Sequence, residues 1–180
     1  MAGAGLSMWR ALSEVEAPGA GTLVAIMRRA DVLWLAGQGV LFVLAFIVVP
    51  RTGGWFGRFD MAGARPVGWA IFGLGVVIGV LAMLRLGRQL VPQPSPVRDG
   101  TLINSGPYAV VRHPIYTAVL LLISGSVLRV FSVAGLLVIV VSAVFFDRKS
   151  GYEETLLAAA YPGYDEYRER VRWKLVPGVR

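Results

Sequence analysis

Three long apolar runs constrain this chain more than any other feature: Val32 to Val49, Pro66 to Leu86, and Ile115 to Phe146, the last broken only by Arg129. A helix rises about 1.5 Å per residue, so each of the first two is long enough to cross a hydrocarbon core of about 30 Å. The third would be about 47 Å long, too long for one crossing. Ser124, Gly125 and Ser126 precede the arginine, so the run is expected to fold as a tight helical hairpin. Each arm is short, which demands tilt or local thinning of the bilayer. The sequence therefore predicts an all-α, multi-spanning membrane protein of about four transmembrane helices, over 32–49, 66–86, 115–128 and 130–146. A cytosolic segment, 1–29, would precede a single membrane domain, 30–180.

Composition points the same way. Of 180 residues, 56% are hydrophobic and only 16% charged, against the roughly 25% charge of an ordinary soluble domain. That leaves too little polar surface to cover a water-exposed globule. The net charge of +7 does not imply nucleic acid, because the basic residues lie between and after the apolar runs. Anionic lipid headgroups are the partner expected, and no nucleic acid. Without cysteine, and with one histidine, the chain offers no disulfide, no thiolate chemistry and no multi-histidine metal site. Residues 1–29 lack the apolar stretch and cleavage site of a signal peptide, so targeting by the first membrane helix is expected.

Orientation follows from the cations. With four crossings, one side receives Arg10, Arg28, Arg29, Arg85, Arg88, Arg98, Arg112, Arg148, Lys149, Arg168, Arg170, Arg172, Lys174 and Arg180. The other receives only Arg51, Arg58, Arg65 and Arg129. Both termini are expected in the cytoplasm. Trp55, Phe56, Phe59 and Trp69 suit an interfacial belt. Met8 to Glu16 reads as a short surface helix. Beyond Phe146 the chain turns polar, and 152–160 and 162–173 read as two short cytosolic helices. In the second, Tyr164, Tyr167 and Val171 share a face, and Glu166 is spaced to pair with Arg170. The segment 91–97, Val-Pro-Gln-Pro-Ser-Pro-Val, cannot form a regular helix.

Three clusters could carry something beyond architecture. Gly73, Gly75 and Gly79 sit inside the second span with no preceding strand, so they do not read as a nucleotide loop. Gly75 and Gly79 form a GxxxG pair suited to close helix packing. Next is Gly106-Pro-Tyr-Ala-Val-Val-Arg-His-Pro-Ile-Tyr116, where Pro114 opens a helix just behind Arg112 and His113. Donors and aromatics at a helix start near the membrane suit either a juxtamembrane anchor or an anion site. Last, Tyr152-Glu153-Glu154-Thr155-Leu156-Leu157 follows the final span. Adjacent glutamates diverge on a helix, so they are no ready acid–base pair. They suit either a solvated helix start or acceptors for ribose hydroxyls.

Taken in order, GPYAVVRHPIY, an apolar hairpin, YEETLL and YPGYDEYRERV, over about Leu90 to Pro177, resemble the isoprenylcysteine carboxyl methyltransferase and phospholipid methyltransferase superfamily. The resemblance covers roughly half the chain. It implies a membrane-embedded, S-adenosylmethionine-dependent methyltransferase of the bacterial inner membrane, acting on a lipophilic carboxylate or amine. Segments 90–116 and 147–177 would build the cofactor site. Residue by residue, it implies that Tyr108, His113, Pro114 and Tyr116, with Arg112, line the methionine end. Glu153 or Glu154 would hold the ribose, and Leu156 and Leu157 the adenine surroundings. Arg170 would face the acceptor, and Glu153, Glu154 or His113 would serve as base for an amine. Two other readings stay open: an NADPH-dependent membrane reductase of the sterol type, and a non-catalytic module of the same fold.

Overall fold

A computed structural model describes residues 20–52, 63–96, 100–130 and 133–179. The expected surface helix at Met8 to Glu16 and the belt residues Trp55, Phe56 and Phe59 lie outside the described residues. Within them the chain is helical, with no strand.

Helix α1 (Ala20–Val43) passes through a π-helical segment (Leu44–Val48) into one further turn, α2 (Val49–Thr52). The apolar run was expected to end at Pro50, but the helix continues past it. The widened turn, in which Val49 N–H donates to Leu44 O, absorbs the proline, and the Arg51 guanidinium donates to Ile47 O at 3.1 Å. The segment Arg29–Arg51 is long and apolar enough to span, and so is Ala64–Gln89, built from α3 (Ala64–Leu86) and a 3₁₀ turn (Gly87–Gln89). Only 17% of either helix is buried within the chain, so neither is the core helix of a soluble protein. Leu33, Val40, Val77, Leu81 and Leu84 all face outward.

Helix α4 (Pro114–Leu128) is apolar but shorter. It ends in the expected turn at Arg129, whose guanidinium carbon sits 4.1 Å above the Trp69 ring. Helices α3 and α4 meet through small residues. A Cβ on Gly75 would lie 3.0 Å from Ala118 O and Leu121 Cβ, and one on Gly125 would lie 2.6 Å from Gly68 O and Phe72 N. The glycine pair read from the sequence therefore sets a backbone-to-backbone approach.

Helix α5 (Val133–Ala160) corrects the sequence reading. The apolar arm and the expected helix at 152–160 are one continuous element. No proline separates them, the helix runs through Gly151, and Lys149 and Ser150 are buried against neighbouring segments instead of forming a solvated loop. At 28 residues it is about 42 Å long, so it outruns a hydrocarbon core of about 30 Å and projects beyond it. The second cytosolic helix is shorter than expected: α6 is Tyr164–Arg170, started by Gly163 at φ 86°. Among the described residues its ion pair is Arg168 with Asp165 at 3.2 Å, not Glu166 with Arg170. Past Val171 the backbone is extended, because it pairs with another segment: Arg112 N–H donates to Trp173 O and His113 N–H to Lys174 O. Tyr164, Tyr167 and Val171 form the buried face predicted from their spacing.

The α3–α4 contact gives a direct expectation. Gly125→Ala puts a methyl into backbone and should lower stability by about 1–3 kcal/mol. Gly73→Ala, where a Cβ meets nothing within 4 Å, should be neutral or slightly stabilising. Thermal unfolding of the two variants in detergent checks both.

Candidate functional site

Pro114 opens α4 and leaves His113 as its N-cap residue, with Arg112 just outside. Before them, a 3₁₀ turn (Gly106–Ala109) begins at Gly106, φ 63°, whose α-carbon lies against the Arg85 side chain. Above this segment runs the C-terminal part of α5. Lys149, Glu153 and Leu157 are four residues apart and share one helix face, while Glu154 is rotated off it. The C-terminal stretch lies alongside.

The two adjacent glutamates, left equivalent by the sequence, separate here. Arg112 Nε donates to Glu154 Oε1 at 2.7 Å, and Arg112 Nη1 donates to the carbonyls of Val171 and Arg172 at 2.8 and 2.9 Å. His113 Nε2 lies 3.2 Å from the same Glu154 Oε1. The Arg112 and Glu154 side chains are only 8% and 10% exposed. Burial of the Glu154 carboxyl pushes its pKa up, but hydrogen bonds and charges of His113 and Arg112 outweigh burial and hold it down at about 2. An ionised Glu154 only accepts, so His113 Nε2 carries the proton and donates.

Glu153 faces the other way. Its Oε2 accepts from Tyr116 Oη at 2.7 Å and lies 3.7 Å from His113 Nδ1. The His113 and Tyr116 rings stack in parallel, 5.5 Å apart at 7°. Beside them opens a cavity of about 460 Å³. Helices α1, α3 and α4 contribute Gln38, Leu86, Ile115 and Tyr116 to its wall, and the 3₁₀ turn after α3 contributes Gln89. The proline-rich strap 90–96 and the stretch 101–103 form another side. Tyr108, Arg112, His113, Glu153, Leu157, Tyr161, Tyr164 and Tyr167 complete it. Burial raises the hydroxyl pKa of Tyr108 and Tyr164 and pushes Tyr167 up to about 12, so these phenols stay protonated at neutral pH. Tyr167 Oη donates to Tyr108 O at 2.7 Å, whereas Tyr164 Oη is buried and has no hydrogen-bond partner among the described residues.

Of the residues singled out in the sequence, Tyr108, Arg112, His113, Tyr116, Glu153 and Leu157 line this cavity. Pro114 is fully buried at the helix start, and Glu154 is committed to Arg112 and His113. Arg170 is exposed at the end of α6 and is not brought to the cavity; nor does Leu156 line it. Sequence reasoning placed the strap, Lys149 and the tyrosines of α6 within the site segments 90–116 and 147–177 without singling them out, and it missed Gln38. The shared face of Tyr164 and Tyr167 was the available signal, read there only as packing.

The phospholipid methyltransferase family model matches residues 64–163, which include α3, the Arg-His-Pro segment, the hairpin and the double glutamate. The chain belongs to that family. It thereby falls within the isoprenylcysteine carboxyl methyltransferase-like superfamily, as the motif order implied. The chain is also 30% identical over 132 residues to the cobalt-zinc-cadmium resistance protein CzcN of Cupriavidus metallidurans. That alignment takes in 73% of this chain and 57% of the relative, so the chain spans little more than half the relative's length. Family membership and the two apolar spanning-length helices together make this a membrane-associated member of a methyltransferase family.

The depressed pKa of Glu154 has a stability consequence. Its folded value, about 2, lies below the ordinary 4.5, so its contribution is fully present above about pH 4.5 and is lost as pH falls toward 2. The melting temperature in detergent should drop across that window. Glu154→Gln should flatten the drop and cost about 3–5 kcal/mol at neutral pH, because it strands a buried guanidinium.

Proposed function

We propose that the chain is an S-adenosylmethionine-dependent methyltransferase embedded in the membrane, acting on a lipophilic or membrane-associated acceptor. The observation that carries this reading is the cavity itself: in a member of the phospholipid methyltransferase family, Arg112, His113 and Glu153 converge on one tyrosine-lined space.

The residues present fit the cofactor. A volume of about 460 Å³ suits a small-molecule ligand. Aromatic faces with one carboxylate favour a cation such as a sulfonium. The buried Tyr164 hydroxyl, without a partner among the described residues, is available to a ligand. In this assignment Tyr108, His113 and Tyr116 surround the methionine end, Glu153 accepts from the ribose hydroxyls, and Leu157 with Tyr164 borders the adenine. Arg112, Pro114 and Glu154 hold the frame. Exposed Arg170 takes no part. Bound there, S-adenosylmethionine supplies an electrophilic methyl group. The chain contributes alignment and exclusion of water, worth most where the acceptor is a carboxylate with no proton to lose. For an amine acceptor, Glu153 Oε2 is the base, after it gives up its bond to Tyr116.

The same reading includes a four-crossing topology with both termini in the cytoplasm of a bacterial inner membrane. It rests on the cation distribution, the two spanning-length helices and the apolar α4–α5 hairpin.

Calorimetry on the detergent-purified chain tests the cofactor. S-adenosylhomocysteine should bind at micromolar concentration, and Glu153→Ala should weaken it about 10- to 100-fold through loss of charged hydrogen bonds. Arg170→Ala should leave it unchanged. Failure of the folded protein to bind, or tighter binding of NADPH, overturns the assignment. Topology can be read with single cysteines, since the chain has none of its own. An impermeant maleimide should label Arg65→Cys and Val133→Cys in intact cells, and Arg88→Cys and Glu169→Cys only after lysis. Protection of Val133→Cys would leave the hairpin short of crossing.

A further inference from the structure

Lys149 is fully buried, on the same α5 face as Glu153, and the assignment above does not use it. It makes no ion pair among the described residues. Its ammonium donates to Gln38 Oε1 at 2.5 Å and to Pro92 O at 3.1 Å, and stands 5.2 Å from the Tyr116 ring centre. It thus joins α1, the proline-rich strap and α4, three segments that all contribute to the cavity wall.

The bond to Gln38 fixes more than position. An ammonium donates and never accepts, so only the oxygen of the Gln38 amide can face Lys149. The amide –NH₂ is thereby turned the other way, and Gln38 lines the cavity. Its nitrogen makes no hydrogen bond among the described residues. A charge-assisted bond at the oxygen polarises the amide and makes its N–H groups better donors.

The surroundings sharpen the point. Of the residues that helices α1, α3 and α4 and the turn after α3 place on the cavity wall, Leu86 and Ile115 are apolar, Gln89 exchanges hydrogen bonds with Thr101, and Tyr116 already donates to Glu153. The Gln38 amide is the donor left uncommitted on that side. It lies about 14 Å along α1 from Arg29, well inside the apolar stretch. A polar side chain at such depth is costly unless it has a use. Behind it stands the Lys149 ammonium, with no carboxylate within ion-pair distance among the described residues, while the charges of Glu153 and Asp31 act on it from farther off.

We propose that Gln38, oriented by Lys149, is a specificity-determining donor for a hydrogen-bond-accepting oxygen of the acceptor, a carboxylate or a phosphate ester borne on an apolar chain. The proposal rests on the methyltransferase reading for the identity of its ligand as the acceptor, but the subsite itself can be examined separately. Gln38 contacts the ligand; Lys149 is a positioning residue that acts through it.

Short soluble amphiphiles serve as probes: hexanoate, hexyl phosphate and hexylamine, titrated calorimetrically into the full chain in maltoside micelles. Wild type should bind at least one of the two oxyanions about tenfold or more tighter than hexylamine, and which one identifies the oxygen's source. Gln38→Met, similar in length but without donors, should bring the probes within about twofold of one another. Gln38→Glu should invert the preference toward hexylamine. Lys149→Met should weaken the oxyanion preference, with Lys149→Arg restoring part of it. Thermal unfolding verifies that each variant is folded; if the lysine variants are not, the Gln38 pair still decides. Equal binding of all probes to wild type, or a preference that survives in Gln38→Met, overturns the proposal. Failure of S-adenosylhomocysteine to bind while the oxyanion preference and its loss both hold would sink the methyltransferase reading and leave the subsite standing.

Discussion

The half of this protein that holds the cavity is organised around one desolvated ion pair, Arg112 with Glu154, at 2.7 Å with both side chains about nine-tenths buried. Burying two charges costs several kcal/mol each unless every remaining donor and acceptor is satisfied. Here the guanidinium also reaches the carbonyls of Val171 and Arg172, and His113 shares the carboxylate. The pair therefore ties three stretches distant in sequence: the lead-in to α4, the C-terminal part of α5 and the C-terminal tail. With Glu154 so committed, Glu153 one position along is left to face the cavity.

The membrane half serves that arrangement. Helices α3 and α4 approach at backbone contact through Gly68, Gly75 and Gly125, which sets α4 firmly and with it the His113 and Tyr116 rings at its N-terminus. Helix α5 carries the constraint out of the apolar zone. Being continuous from Val133 to Ala160, it transmits the placement of buried Phe146 directly to Lys149, Glu153 and Leu157. A break at Asp147, as the polarity of the sequence suggested, would have uncoupled the two.

The cavity lies where these halves join, and its wall divides accordingly. Toward the tail it is tyrosines, kept protonated by burial; toward the apolar helices it is apolar except for Gln38, Gln89 and the Tyr116 hydroxyl. The strap 90–96 closes one side and is tethered by Lys149 to the carbonyl of Pro92 and by Ser95 Oγ to Asp31. Polar and apolar walls thus meet in one space.

By itself the sequence determined the helical class, the two spanning-length helices, the turn at Arg129, the glycine packing pair and the segments that build the site. These are local properties: hydropathy summed over a window, a proline at a helix start, small residues four apart. The motif order likewise announced the methyltransferase family. Only the tertiary structure decided which glutamate faces the cavity, that Arg170 stays outside it, that α5 runs unbroken through a charged stretch, and that Gln38 meets Lys149. Those outcomes depend on partners far apart in the chain, 42 residues for Arg112 and Glu154 and 111 for Lys149 and Gln38. A polar residue reads as exposed until the group that satisfies it is known, and no spacing rule supplies that group.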